Sequence, residues 1–220
     1  MDRSALAAHL RTKVQLQQQL DYVYAPTGIL GFDSQTGGVP RGAITEICGP
    51  ASSGKTTFLH ALMANLCAKG EFCAVVDATD SFDPVSAATA GTDLRQLLWV
   101  RCSRVEEAIR SADLLVHSGG WGLIVLDLSD VKPEMMRKVP VSYWYRFKRA
   151  VENSPATFLV LGLEPYAKNC AAMSLELQPG KAVWSGAHRD FQLLRGMDLD
   201  VIPRRPVRSH VRVHLHSRAC

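Results

Sequence analysis

The apolar positions of this chain fall into two alternating patterns. Short continuous runs, Ala43 to Cys48, Phe72 to Val76, Leu97 to Val100, Leu123 to Leu128 and Thr157 to Leu161, read as buried strands. Between them the spacing changes to that of helices. Leu59, Leu62, Met63 and Leu66 share one face of a helix over 56–69, which Gly70 ends. Asp83-Pro84 opens another, with Asp as N-cap and Pro in the first turn. Val105 to His117 is closed by Gly119-Gly120, and Val141, Trp144, Phe147 and Val151 mark a helix over 140–153. Upstream, Leu6, Leu10, Val14, Leu16 and Leu20 predict an amphipathic helix over 4–20. A linker over 21–26 and a Gly/Pro-rich loop over 27–42 follow it. Strands that are apolar throughout, alternating with helices, predict an α/β fold with a parallel sheet covered on both faces. After Cys170 the pattern changes to short strands, 171–177, 182–185, 191–194 and 207–215, with a turn at Gln178-Pro179-Gly180. These predict an antiparallel extension of the same sheet.

Composition adds exclusions. The 220 residues are 47% hydrophobic and 21% charged, which fits a folded domain and not a disordered chain. No apolar run approaches the roughly 20 residues of a membrane span, and the N-terminus does not read as a secretory signal, so a cytoplasmic protein is expected. The six cysteines form no C-x-x-C pair and sit mostly in apolar runs, as buried thiols of a reducing compartment do. Charge is uneven: the net +4 comes from the last 20 residues, which hold five arginines and no acid. Arg204, Arg205, Arg208 and Arg212 are therefore candidate contacts to nucleic acid or to an anionic partner, with a solvated basic face as the plain alternative. His214-x-His216 has no acidic or cysteine ligand nearby in sequence, so metal binding is not expected there. The cations and aromatics of Tyr143 to Arg149 could stack on bases. Their helical spacing favours an ordinary amphipathic helix instead.

The strongest chemical signal is Gly49-Pro50-Ala51-Ser52-Ser53-Gly54-Lys55-Thr56, a full match to G-x-x-x-x-G-K-[ST] between a strand and a helix. Four fixed positions would match by accident in roughly one chain of this length in a hundred, and the flanks lower that further. Backbone N–H groups of such a loop cradle phosphate, Lys55 reaches the β- and γ-phosphates, and the Thr56 hydroxyl can ligate Mg²⁺. Asp127, closing a buried apolar strand downstream, is the expected partner of that ion. ATP with Mg²⁺ is the predicted ligand, bound by Gly49, Pro50, Ala51, Ser52, Ser53, Gly54, Lys55, Thr56 and Thr57, with Thr56 and Asp127 on the metal.

These residues resemble the RecA superfamily. The phosphate loop through Thr57 is close to that of bacterial RecA, with Ala51 where RecA has a glutamate. Gly37-Gly38-Val39-Pro40-Arg41-Gly42 with Thr45-Glu46-Ile47 is similar to RecA's lead-in strand and turn. Cys73 to Ala78 followed by Asp83-Pro84 is similar to its second strand and turn. The resemblance covers about 27–200, which sets the expected organisation: an N-terminal helix and linker over 1–26, a RecA-like nucleotide-binding core over 27–200, and a basic strand or tail over 201–220. Short length, together with Ala167 to Ala172 and Leu193 to Gly196, looks more like ImuA proteins, RecA-like accessory factors of bacterial mutagenic translesion synthesis.

That resemblance implies DNA, a RecA recombinase and a polymerase-like translesion protein as partners. Residues 4–20 would then dock on a neighbouring protomer or fold back on their own domain. Where RecA has its catalytic glutamate this chain has Thr79, which cannot serve as a general base at neutral pH. Asp77 and Asp80 could stand in only if the loop shifts. Where RecA has a γ-phosphate-sensing glutamine, this chain has Leu163-Glu164. The expectation is an ATP-binding accessory protein of DNA repair and damage tolerance with weak or no hydrolysis. The alternatives are a DNA-stimulated ATPase acting as a small recombinase, and a regulatory P-loop ATPase outside DNA metabolism.

Overall fold

A computed structural model describes residues 22–185, 193–206 and 211–216. The helix expected over 4–20 lies outside them. The elements are β1 (Tyr24–Ala25), α1 (Leu30–Thr36), β2 (Val39–Pro40), β3 (Ala43–Cys48), α2 (Lys55–Cys67), β4 (Cys73–Asp77) and α3 (Pro84–Thr89). They continue as β5 (Leu97–Arg101), α4 (Val105–Ser118), β6 (Leu123–Leu128), α5 (Pro133–Met136), α6 (Val141–Glu152), β7 (Thr157–Gly162), β8 (Ala171–Ser185), β9 (Leu193–Arg205) and β10 (Val211–His216).

Eight strands form one sheet in the order β10-β9-β8-β3-β7-β6-β4-β5. From β8 to β5 every neighbouring pair is parallel; β8–β9 and β9–β10 are antiparallel. The five apolar runs are the five strands β3 to β7, and their continuity has a direct cause. Successive side chains of a strand point to opposite faces. Ile47, Val75, Val125 and Leu159 pack under Phe58, Leu62 and Leu66 of α2, while Ile44, Val76, Ile124 and Val160 pack under Ala108 and Ile109 of α4 and Trp144 and Phe147 of α6. Each face is covered over β3, β4, β6 and β7, so each alternate residue there must be apolar, while β5, at the sheet edge, is only partly buried.

Local signals place the helices. Asp83 caps α3 by accepting from Val85 N at 3.1 Å and Ser86 N at 3.0 Å. Trp144, Phe147 and Val151 of α6 are buried, and Arg146 on its outer side pairs with Asp113 at 2.5 Å. The segment from Tyr143 to Arg149 is thus a packed amphipathic helix.

Two stretches differ from the sequence reading. The linker and Gly/Pro-rich loop contain β1, α1 and β2. The seven-residue helix is too short to show a period, and it is organised by Asp33, which accepts from Thr27 N, Thr27 Oγ1 and Gly28 N at 2.8–2.9 Å. The expected turn at Gln178-Pro179-Gly180 is absent: β8 runs through it, with a register irregularity opposite β9 between Pro179 and Ala182. Gly180 is there for close approach, since a Cβ would lie 2.3 Å from Asp198 O on β9. β9 spans 193–205. Among the described residues no helix is long and apolar enough to cross a membrane.

Candidate nucleotide site

The phosphate loop joins β3 to α2 at the edge where the parallel strands end. Gly49 N donates to Gly162 O of β7 at 3.2 Å, which anchors the loop's start to the sheet. A Cβ on Gly49 would meet Leu177 O at 2.3 Å and Ser53 Oγ at 2.8 Å, so only glycine fits where the loop crosses β8. Gly54, in a left-handed conformation, is the N-cap of α2, and Lys55 is its first residue. The Lys55 ammonium is buried and donates to Gly49 O at 2.5 Å and Pro50 O at 2.8 Å. Burial lowers its pKa, and the negative charges of Asp127 and Asp130 oppose that.

A cleft of about 350 Å³ opens above the loop, lined by residues 51–57, Leu59, Ser81, Phe82, Asp127, Ser129 and Asp130. Lys55, Thr56 and Thr57 share this one wall with Asp127, which is far from them in sequence. Gly49 and Pro50 stand behind it and act through their carbonyls on Lys55. Asp127, 7% exposed at the end of β6, accepts from Ser129 N at 2.9 Å; burial raises its pKa and the Ser129 bonds restrain the rise. The Ser53 hydroxyl is buried on the same wall without a hydrogen-bond partner among the described residues. A wall with an orphaned donor, a cation and hard oxygen atoms suits a phosphate with its divalent ion. No group of three or more His, Cys, Asp or Glu that could hold a metal exists among the described residues. Magnesium would therefore complete its shell with phosphate oxygens and water, as it commonly does.

A family model for the RecA N-terminal domain matches residues 9–135, a stretch that contains the loop, the cleft and Asp127. The chain belongs to this RecA family. RecA of Mesorhizobium japonicum is 43% identical over 113 residues, 50% of this chain and 31% of the relative. RecA of Rickettsia bellii is 39% identical over 117 residues, 52% of this chain and 34% of the relative. RecA of Cutibacterium acnes is 45% identical over 114 residues, 50% of this chain and 32% of the relative. The matches thus span about a third of those relatives' length.

Within this RecA-family core the loop after β4 has a definite structure. Asp77 is fully buried and gathers four donors: Thr79 N at 3.1 Å, Ser81 N at 3.2 Å, Phe82 N at 2.9 Å and Trp99 Nε1 at 3.3 Å. Asp80 turns outward and takes a two-pronged ion pair from Arg101 at 2.6 and 2.5 Å, while Arg101 also lies 5.0 Å over the Trp99 ring. Hydrogen bonds from Arg101 hold the Asp80 carboxyl below its usual pKa. Both acids that could have replaced a base at position 79 are engaged elsewhere. Thr79 itself is bonded to Ser81 Oγ at 3.1 Å and does not line the cleft.

Among the described residues, two arginines of the basic segment are engaged at separate places. Arg204 pairs with Glu176 of β8, its Nε at 2.7 Å. Arg205 donates to Asn169 Oδ1 at 2.8 Å and Ala171 O at 3.4 Å. Arg212 lies on β10 opposite Asp200, and Arg208 is outside the described residues.

One buried acid, quoted above only within the RecA-like lead-in strand, was given no role from the sequence. Glu46, mid-β3 and 1% exposed, accepts from Tyr166 N, and from Ala167 N at 2.7 Å. It binds the strand that leads into the phosphate loop to the turn after β7, next to the exposed Glu164. Burial raises its pKa, partly offset by those two backbone bonds. Its only sequence signal is an acid inside an otherwise apolar strand.

Proposed function

We propose that this chain is a RecA-type, Mg·ATP-binding accessory protein of DNA repair and damage tolerance that hydrolyses ATP weakly or not at all. The observation that carries the reading is the pairing of a complete phosphate-binding wall with a disarmed neighbouring loop: Asp77 is saturated by four donors and Asp80 is bound by Arg101. Residues 49–57 would hold the triphosphate, with Thr56 and Asp127 on the ion. Magnesium, when bound with nucleotide, supplies charge neutralisation at the phosphates. Lys55 would exchange its loop carbonyls for phosphate oxygens, Asp127 would fix the hydrated ion, and β3 would pass any movement of the loop through Glu46 to residues 166–167. The resemblance to ImuA supports a place in translesion synthesis, with a RecA recombinase, a polymerase-like protein and DNA as cytoplasmic partners. The proposed organisation keeps 27–200 as the nucleotide-binding core and 201–220 as a basic segment.

Calorimetric titration of ATP with magnesium, followed by turnover measured with and without single-stranded DNA, tests this reading. Lys55→Ala should weaken ATP by about a hundredfold, because two or more charge-assisted bonds to phosphate are lost. Unchanged affinity in that variant would overturn the nucleotide assignment. Robust DNA-stimulated hydrolysis, abolished in Lys55→Ala, would favour the small-recombinase reading instead.

A further inference from the structure

The cleft contains an acidic residue that neither the loop motif nor the strand-end aspartate accounts for. Asp130 lies three residues beyond Asp127, in the tight turn closed by Val131 N donating to Leu128 O at 3.1 Å. Val131 is buried beneath it and pins the turn to the sheet, so the position of Asp130 is built rather than left to a free loop. Among the described residues its carboxylate has no hydrogen-bond or ion-pair partner, yet it lines the cleft beside Thr56 and Asp127. It lies within electrostatic reach of both the Lys55 ammonium and Asp127.

The charge balance of this wall decides its ligand chemistry. Among the described residues lining the cleft, Lys55 is the one cation, and Asp127 and Asp130 are the two anions. A bare polyphosphate would meet one favourable and two unfavourable charges. A polyphosphate carrying a divalent cation would meet the reverse. Ser53 Oγ, buried without a partner on the same wall, is an independent sign that the wall is completed by a ligand.

We propose that Asp130 is a second positioning carboxylate for the divalent ion, holding a water of its hydration shell together with Asp127 and making nucleotide binding by this chain much tighter with the metal than without it. The inference rests on the nucleotide reading above and adds a residue and a form of regulation to it. Groups that orient a metal's outer shell change its affinity by about 10- to 100-fold when removed. A like charge beside a polyanion, in the intermediate dielectric of an open cleft, is felt as a several-fold loss of affinity.

The experiment uses the full chain and a fluorescent ATP analogue, titrated at graded magnesium concentrations and again in EDTA. Asp130→Asn keeps the shape of the side chain and removes its charge. Its expected signature has two opposite signs. The magnesium concentration for half-maximal tight binding should rise about tenfold, while affinity in EDTA should become about threefold tighter. A magnesium midpoint and an EDTA affinity equal to those of the unsubstituted chain overturn the role of Asp130 alone. Absence of nucleotide binding by the unsubstituted chain at every magnesium concentration overturns the nucleotide reading and this inference with it. Manganese binding to the nucleotide-free chain, read by electron paramagnetic resonance, supplies a second readout. Weaker manganese binding in Asp130→Asn than in the unsubstituted chain supports the proposal, and identical binding counts against it. Thermal unfolding of the variant should stay within a degree or two of the parent, as for an exposed surface position.

Discussion

The loops that follow β4 and β6 leave neighbouring strands from positions in direct register, Asp77 beside Asp127, and they use their acids in opposite ways. After β4, Asp77 is saturated by three backbone N–H groups and the Trp99 indole, and Asp80 is clamped by Arg101. After β6, Asp127 accepts from Ser129 N and lines the cleft with Asp130. Two acids are therefore spent on building a loop and two line an open cleft. A carboxylate's role is set by how many donors the fold aims at it, not by its place at a strand's end. In this RecA-family chain the acids of the first loop are engaged within the fold, while those of the second line an open cleft.

Substitutions at the register pair test that division most severely. Asp77→Ala leaves three backbone N–H groups and an indole N–H without their acceptor, so it should cost about 3 kcal/mol of stability. The corresponding drop in thermal midpoint is about 6–12 °C for a chain of this size. Asp127→Asn should behave in the opposite sense. The Asp127 carboxyl is raised in pKa by burial, so its contribution to stability is fully present below the unfolded-state pKa and is lost as pH rises through the folded-state value. The variant should gain on the parent as pH climbs above about 4, while losing magnesium-dependent nucleotide binding. Chemical denaturation between pH 4 and pH 8 measures both. Equal destabilisation by the two substitutions would erase the distinction between the loops.

A smaller effect is expected from restoring an acid to the first loop. Thr79→Glu should raise ATP turnover about tenfold, well short of the 10²–10⁴-fold that a well-placed general base supplies, because Asp77 keeps the loop in its present form. Steady-state hydrolysis with and without single-stranded DNA measures it. No gain would place the defect in the loop's conformation and not in residue 79.

The smallest effect concerns the basic segment. Arg204 is already paired with Glu176 at an exposed site, so Arg204→Ala should change stability by less than 1 kcal/mol. In single-stranded DNA binding, a free arginine that contacts phosphate lowers the log–log salt slope by about 0.7 when removed. Arg204→Ala should fall below that value. A full decrement would show that the Glu176 pair opens on DNA, and that this acid is no more committed to structure than Asp127.

The strand–helix alternation, both covered faces of the sheet and the phosphate loop were legible in the residues, because each depends on neighbours within one element. Continuous apolar runs require burial on both sides, and Asp83-Pro84 carries its own cap. The turn expected at Gln178 to Gly180 failed for the opposite reason. Proline and glycine there answer to β9 pressing on β8, a contact between segments that no local pattern encodes. The short helix α1 was missed because seven residues held by Asp33 show no period.

From the sequence by itself came the fold class, the phosphate-loop motif and the absence of a glutamate at position 79. Only the tertiary structure decided that Asp77 and Asp80 are engaged by backbone donors and by Arg101, that Arg204 pairs with Glu176 and Arg205 with Asn169, that Glu46 grips the turn after β7, and that Asp130 lines the cleft. The physical reason is separation along the chain. Asp80 and Arg101 stand 21 residues apart, Glu176 and Arg204 28, and Glu46 and Tyr166 120. A short motif specifies its own backbone, but the charge that meets a side chain across a sheet is known only once the strands have been placed in order.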